Sequence, residues 1–145
     1  MSLCACGGSG YSDGTRFVAG SITTRSLWSV SGQMKDVRNA TDGNVGSVAL
    51  GEGAQQRPNL VIDLGKECLF NMIVIDHGPR DQGYCRRLAV STSDDGKSFH
   101  RQAEAPGQRR VTTVLLPRAV LTRYVRLEVI EPGDNAWAVA EVYLN

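Results

Sequence analysis

The sequence predicts an all-β domain whose antiparallel strands pack as a sandwich. Three observations carry this. No segment shows an apolar repeat at helical spacing over three turns. Short alternating or β-branched runs recur at roughly 8–15 residue spacing. Each run is closed by Gly, Pro, Asp or Asn. At 145 residues the chain reads as one domain with room for a substantial core.

The elements follow in order. Residues 1–14, rich in Gly, Ser and Cys, read as a tail or tether, and residues 15–145 as the domain. Residues 16–19 and 21–24 are short β-prone pieces, followed by Leu27 and Trp28. Residues 39–47 hold Asp42, Gly43, Asn44 and Gly46. That is turn chemistry rather than strand or helix, because Gly, Asn and Asp tolerate the backbone angles of tight turns. Residues 51–58 form a second turn-rich segment. From there the alternation is regular. Residues 60–64 end at Gly65, residues 70–77 end at Gly78-Pro79, and residues 87–93 put Leu88 and Val90 on one face. Asp94-Asp95-Gly96 is the strongest hairpin signal and leads into residues 97–100. After a turn at residues 105–107 come strands at 111–116 and 124–130, the second with Val125, Leu127 and Val129 inward. Residues 132–135 turn the chain into a last strand at 137–144.

Composition excludes several classes. A net charge of +1 makes no electrostatic case for nucleic acid. No apolar run reaches the ~18 residues of a membrane span. Of the sixteen basic residues thirteen are Arg, the side chain suited to planar, bidentate contacts. Cys4, Cys6, Cys68 and Cys85 fit neither a disulfide framework nor a zinc pattern and read as free thiols; a Cys68–Cys85 bridge would need Cα atoms within about 7 Å. His77 and His100 accompany no GxSxG elbow, no HExxH and no phosphate loop, and no spacing singles out a carboxylate pair. The chain therefore reads as non-catalytic.

The loop at residues 39–47 offers hard oxygen ligands only: curled backbone carbonyls, the Asp42 carboxylate and the Ser47 hydroxyl. Calcium takes six to eight such oxygens, so a second acidic residue is needed, and Glu141 is the candidate. An ion-free Asx-turn is the alternative reading of the same residues.

Five stretches in order extend this reading: Ala40-Thr41-Asp42-Gly43-Asn44, residues 59–65, residues 88–99 with their Asp-Gly hairpin, Arg123-Tyr124-Val125-Arg126-Leu127-Glu128, and Trp137-Ala138-Val139-Ala140-Glu141-Val142. Together, over residues 16–145, they resemble the coagulation factor 5/8 type C (discoidin) domain, nearest its bacterial family 32 carbohydrate-binding branch. The resemblance implies a galactose-binding-like jelly roll of a five-stranded and a three-stranded antiparallel sheet. It also implies a structural calcium held by the side chains of Asp42, Ser47 and Glu141 and the carbonyls of Asn39, Asn44 and Ala140. The sequence departs from the family at Ala49, where an aromatic is usual, and at Phe99, where Trp is usual.

Ligands of this family bind on loops at one end of the sandwich. Sugar recognition needs planar polar groups for vicinal hydroxyls and an apolar ring for a C–H face. The candidates are Arg80 and Asp81 in the loop after the 70–77 strand, His77 at that strand's end, Gln55, Gln56 and Arg57 on the facing loop, Asn135, and the rings of Trp28 and Trp137. The alternative readings are a surface ion pair for Arg80 and Asp81, a hydrogen-bonded strand-end ring for His77, a solvated loop at residues 55–57 and core packing for Trp137. The partner implied is a galactose- or hexosamine-type glycan. A protein or phospholipid partner is the alternative, although Val48 and Leu50 are the only candidate apolar spikes and no basic cluster accompanies them. The same resemblance implies a monomer that does not insert in membranes, working outside the cell, at its surface or in the periplasm. The opening Met1-Ser2-Leu3 carries no export leader, so the chain reads as a piece of a longer precursor.

Overall fold

The computed structural model describes residues 20–54 and 56–145. The tail read at residues 1–14, the piece at 16–19 and Gln55 lie outside the described residues, as do Cys4 and Cys6. The described residues form eight strands: Ser29–Gly32 (β1), Ala49–Leu50 (β2), Asn59–Asp76 (β3), Arg87–Ser93 (β4), His100–Ala105 (β5), Val111–Glu131 (β6), Ala138–Val139 (β7) and Glu141–Leu144 (β8). No helix among the described residues is long and apolar enough to cross a membrane.

The two long strands are bent and build both layers. Residues 59–63 of β3 pair with residues 124–128 of β6 and have β1 on their other side, whereas residues 72–76 pair with 111–115 and have β8 on their other side. β4 continues from β6 and β5 from β4. The ladder is thus a five-strand block, β1-β3-β6-β4-β5, and a three-strand block, β8-β3-β6, with β2 and β7 paired separately. This is the antiparallel five-plus-three sandwich. Where β3 bends, Gly65 holds φ +85° and an added Cβ would sit 3.1 Å from the Leu27 carbonyl, so a side chain there is strained by the backbone angle and crowded by its neighbour. Beside that bend Arg123 donates two hydrogen bonds to Asp63, at 2.8 and 3.1 Å, which hold the Asp63 carboxyl below its usual range.

Alternation fills the space between the blocks. Leu60, Ile62 and Leu64 point inward, then Ile73 and Ile75 do, and a register shift between Phe70 and Met72 supplies the change of phase. They meet Leu88, Val90, Val114, Val125, Leu127 and Val142 in one core. Each fully buried aliphatic side chain contributes about 1.5–3 kcal/mol of burial.

Several expectations change. The strands read at 60–64 and 70–77 are one strand, as are those at 111–116 and 124–130, because the pairing between them lapses around Gly65 and Pro117 and resumes beyond each. Residues 21–24 form no ladder; Thr23 donates to the Leu64 carbonyl at 2.6 Å and the chain turns through a 3-10 helix at Arg25–Leu27. Residues 39–41 belong to a second 3-10 helix, Val37–Thr41, so the turn proper begins at Asp42. The last strand breaks at Ala140, whose N–H goes to the Asp76 carbonyl. Cys68 and Cys85 are buried free thiols, and burial pushes the Cys85 thiol up to about 11. Ala49 is fully buried against Val139, and Phe99 carries the Arg126 guanidinium 4.5 Å from its ring centre.

Candidate functional site

Since β3 runs out along one block and back along the other, both of its ends lie with the loops of one edge of the sandwich. Those loops hold each other through backbone bonds. Ala138 N–H donates to the Gly83 carbonyl (2.8 Å), Gly83 N–H to Arg80 (2.8 Å), Arg110 N–H to Asp81 (2.9 Å) and Gly51 N–H to Trp137 (2.8 Å). Gly83 permits the first contact, because a Cβ there would stand 2.7 Å from the Ala138 Cβ.

This framework shapes a depression of about 570 Å³ lined by Pro79, Arg80, Asp81, Gln82, Asn135 and Ala136. Three residues singled out in the sequence, Arg80, Asp81 and Asn135, therefore come together although 54 positions separate the last two. Arg80 is exposed and its guanidinium has no hydrogen bond or ion pair among the described residues. Asp81 accepts two N–H groups of Arg109 on one oxygen, at 3.0 and 3.3 Å. Asn135 donates weakly to the Gln82 carbonyl at 3.4 Å. The lining thus offers planar donors and acceptors at its mouth and two small apolar surfaces, Pro79 and Ala136.

The other sequence candidates do not join them. His77 is fully buried behind the loop. Its Nδ1 donates to the Ala138 carbonyl at 2.6 Å and its Nε2 meets the Thr112 hydroxyl at 2.8 Å. A carbonyl can only accept, so the ring proton sits on Nδ1, and burial lowers the pKa and keeps the ring neutral. Both nitrogens are spent, which removes His77 from the ligand-facing set. Trp137 is 3% exposed and part of the core, so it offers no platform. Trp28 packs against the core near the 3-10 turn, where its indole N–H donates to Thr23 at 2.8 Å. Gln56 and Arg57 line a separate depression with Gln33, Glu52 and Pro58. Among the described residues no aromatic ring lines the Arg80 depression. Sequence reasoning missed Gln82 and Arg109; the Arg109-Arg110 pair after a turn was the available signal for the second.

The loop singled out for calcium closes on itself and on the last strand. Asp42 accepts the Asn44 N–H (2.9 Å) and the Ser47 hydroxyl (2.6 Å), and Ser47 also reaches the Asn44 carbonyl at 3.1 Å. Glu141 is 1% exposed and accepts the Gly43 N–H at 2.9 Å, so the loop touches Glu141 through its backbone, while Asp42, Asn44 and Ser47 bond one another. Asn39 turns its side chain to the Val48 carbonyl. These are hard oxygens of the kind calcium takes. A residue outside the predicted set intervenes, however. The Arg25 guanidinium bonds the second Glu141 oxygen and the Val142 carbonyl, and lies against the rings of Trp28 and Tyr143 at 5.2 and 4.7 Å. It already supplies the positive charge that a buried carboxylate requires.

Comparisons with known proteins bear on the whole. Among solved structures, the fold is similar to CpGH89CBM32-5 from Clostridium perfringens, solved in complex with GalNAc-β-1,3-galactose (TM-score 0.74, 14% identity, 83% of this chain and 96% of that one). It is similar also to the family 32 carbohydrate-binding module of NanJ from Clostridium perfringens, in complex with galactose (TM-score 0.71, 17% identity, 83% and 95%). A third is the module CBM32-3 from a family 31 glycoside hydrolase of the same organism (TM-score 0.72, 14% identity, 83% and 92%). A comparison with curated proteins gives no match. The model of the F5/8 type C domain matches residues 21–142. This chain belongs to the F5/8 type C domain family.

Proposed function

We propose that this chain is a non-catalytic carbohydrate-binding module of a larger bacterial protein that works outside the cell or at its surface, and that it binds a galactose- or hexosamine-type glycan in the Arg80 depression. The observation that carries this reading is the convergence of Arg80, Asp81, Gln82 and Asn135 on one open depression. The printed ligands of two structural relatives, galactose and GalNAc-β-1,3-galactose, support the sugar class. Arg80 pairs vicinal hydroxyls with its fork of N–H donors, and the second Asp81 oxygen accepts from a hydroxyl. Pro79 and Ala136 cover a small C–H face in place of a ring. A shallow contact without a stacking ring gives millimolar to micromolar affinity.

The proposal includes calcium at the Asp42, Ser47 and Glu141 side chains, with the Asn44 carbonyl. The ion would tie the loop to β8, and it binds in competition with Arg25 for the Glu141 carboxylate. It takes no part in sugar contact.

A glycan-array screen with calcium and with a chelator tests the reading. Binding to galactose- or N-acetylhexosamine-terminated glycans that falls by about tenfold or more in Arg80→Ala is expected, since a charge-assisted hydrogen bond is lost. Loss of all glycan binding by the folded wild type would overturn it and favour a protein partner.

A further inference from the structure

We infer that the Arg80 depression is selective for a saccharide bearing an anionic group, a carboxylate or a sulfate ester, over its neutral counterpart; this rests on the glycan-binding reading above. Among the residues that line the depression the charges do not balance. Its one lining carboxylate, Asp81, is engaged by Arg109, and the nearby Asp134 is engaged by Arg86. Two arginines are left over on the same pair of loops. Arg80 lines the depression, and Arg110 is held beside it by its N–H bond to the Asp81 carbonyl at 2.9 Å. Neither guanidinium has a hydrogen bond or ion pair among the described residues. Arg38, Arg57 and Arg118 are unpaired among the described residues too, but Arg38 and Arg118 lie away from this lining and Arg57 shares its separate depression with the unpaired carboxylate of Glu52.

The backbone maintains this arrangement at a cost. Arg110 holds φ +71°, a region that a long side chain rarely adopts. The turn persists because its carbonyl takes the His77 N–H at 2.9 Å while its own N–H serves Asp81. A free guanidinium lining a depression whose carboxylate is already paired, with a second unpaired arginine on the adjoining turn, raises the local positive potential. An oxyanion on the sugar gains charge-assisted, bidentate hydrogen bonds that a hydroxyl does not. Both cations are exposed, so the preference must weaken with salt.

Calorimetric titration of the intact chain with matched probes tests this: methyl β-galactopyranoside, the corresponding methyl galacturonoside, and methyl β-galactopyranoside 6-sulfate, each in 20 and 300 mM salt. The expected result is a preference of roughly tenfold for at least one anionic probe at low salt, falling several-fold at high salt. The carboxylate and sulfate arms identify which group is taken. The Arg80→Gln/Arg110→Asn variant, in which Asn tolerates the positive φ, should lose the preference at an unchanged melting temperature. Equal affinity for neutral and anionic probes overturns the inference and leaves the glycan-binding reading standing. Binding of none of the three, by a chain that also fails on the glycan array, overturns both.

Discussion

Arg25 and Glu141, 116 residues apart in sequence, form the ion pair that fastens the first described turn of the chain to its last strand. The carboxylate is fully buried and shared with the Gly43 N–H, while the guanidinium is sandwiched by Trp28 and Tyr143. Three segments therefore meet at one carboxylate: the 3-10 turn, the Asp42 loop and β8.

Removing the cation leaves that carboxylate buried with one partner. Arg25→Gln is expected to cost about 3 kcal/mol in urea denaturation. On the proposal that calcium competes for the same oxygens, millimolar calcium should restore part of the lost stability in the variant and change the wild-type midpoint little. A variant as stable as wild type would show that the pair is not what joins the loop to the strand.

His77 makes stability depend on pH in a defined direction. Burial lowers its folded pKa beneath the ordinary 6.5, so below that value the unfolded chain binds the extra proton and the folded one resists it. Stability is full above pH 6.5 and is lost as the pH falls below it. His77→Gln should be about 1–3 kcal/mol less stable at pH 8, because the Ala138 carbonyl or the Thr112 hydroxyl loses its partner. Its denaturation midpoint should then fall less steeply than that of wild type between pH 6.5 and 5. Parallel pH profiles would assign the acid loss to other groups.

Gly83 sets the floor of the candidate site. An added Cβ meets Ala138 Cβ at 2.7 Å and the Arg80 carbonyl at 3.0 Å, neither of which can swing away. Gly83→Ala is expected to cost about 1–3 kcal/mol and to weaken glycan binding by opening the turn that presents Arg80. Gly53→Ala, whose new Cβ meets only the Gln56 side chain at 3.8 Å, serves as the near-neutral control. Differential scanning calorimetry and glycan titration of both variants provide the measurement.

Much of the fold was legible from residues alone. Alternation in residues 60–64, 87–93 and 124–130 names the inward faces, and those faces form the core. Asp94-Asp95-Gly96 names its hairpin through local chemistry: Asp95 caps the Lys97 and Ser98 N–H groups, which draw its pKa down to about 2. Turn residues at 80–81 and 135 marked an exposed edge, and the structure brings them to one depression.

Periodicity and turn chemistry are local, so the sequence by itself determined the strands, their inward faces and the polar residue types offered by the loops. Only the tertiary structure decided which of those residues meet. A pleated strand names a face but not its neighbour, so the sequence left both core packing and ligand contact open for His77 and Trp137, and the fold, in which β6 and the core cover them, decides for packing. Gly65 and Pro117 look like strand ends, yet the ladder with the facing strand, interrupted at each, resumes on the far side. The cation at Glu141 is an arginine from the far end of the chain, because a buried carboxylate takes its counter-charge from whatever the fold brings within reach.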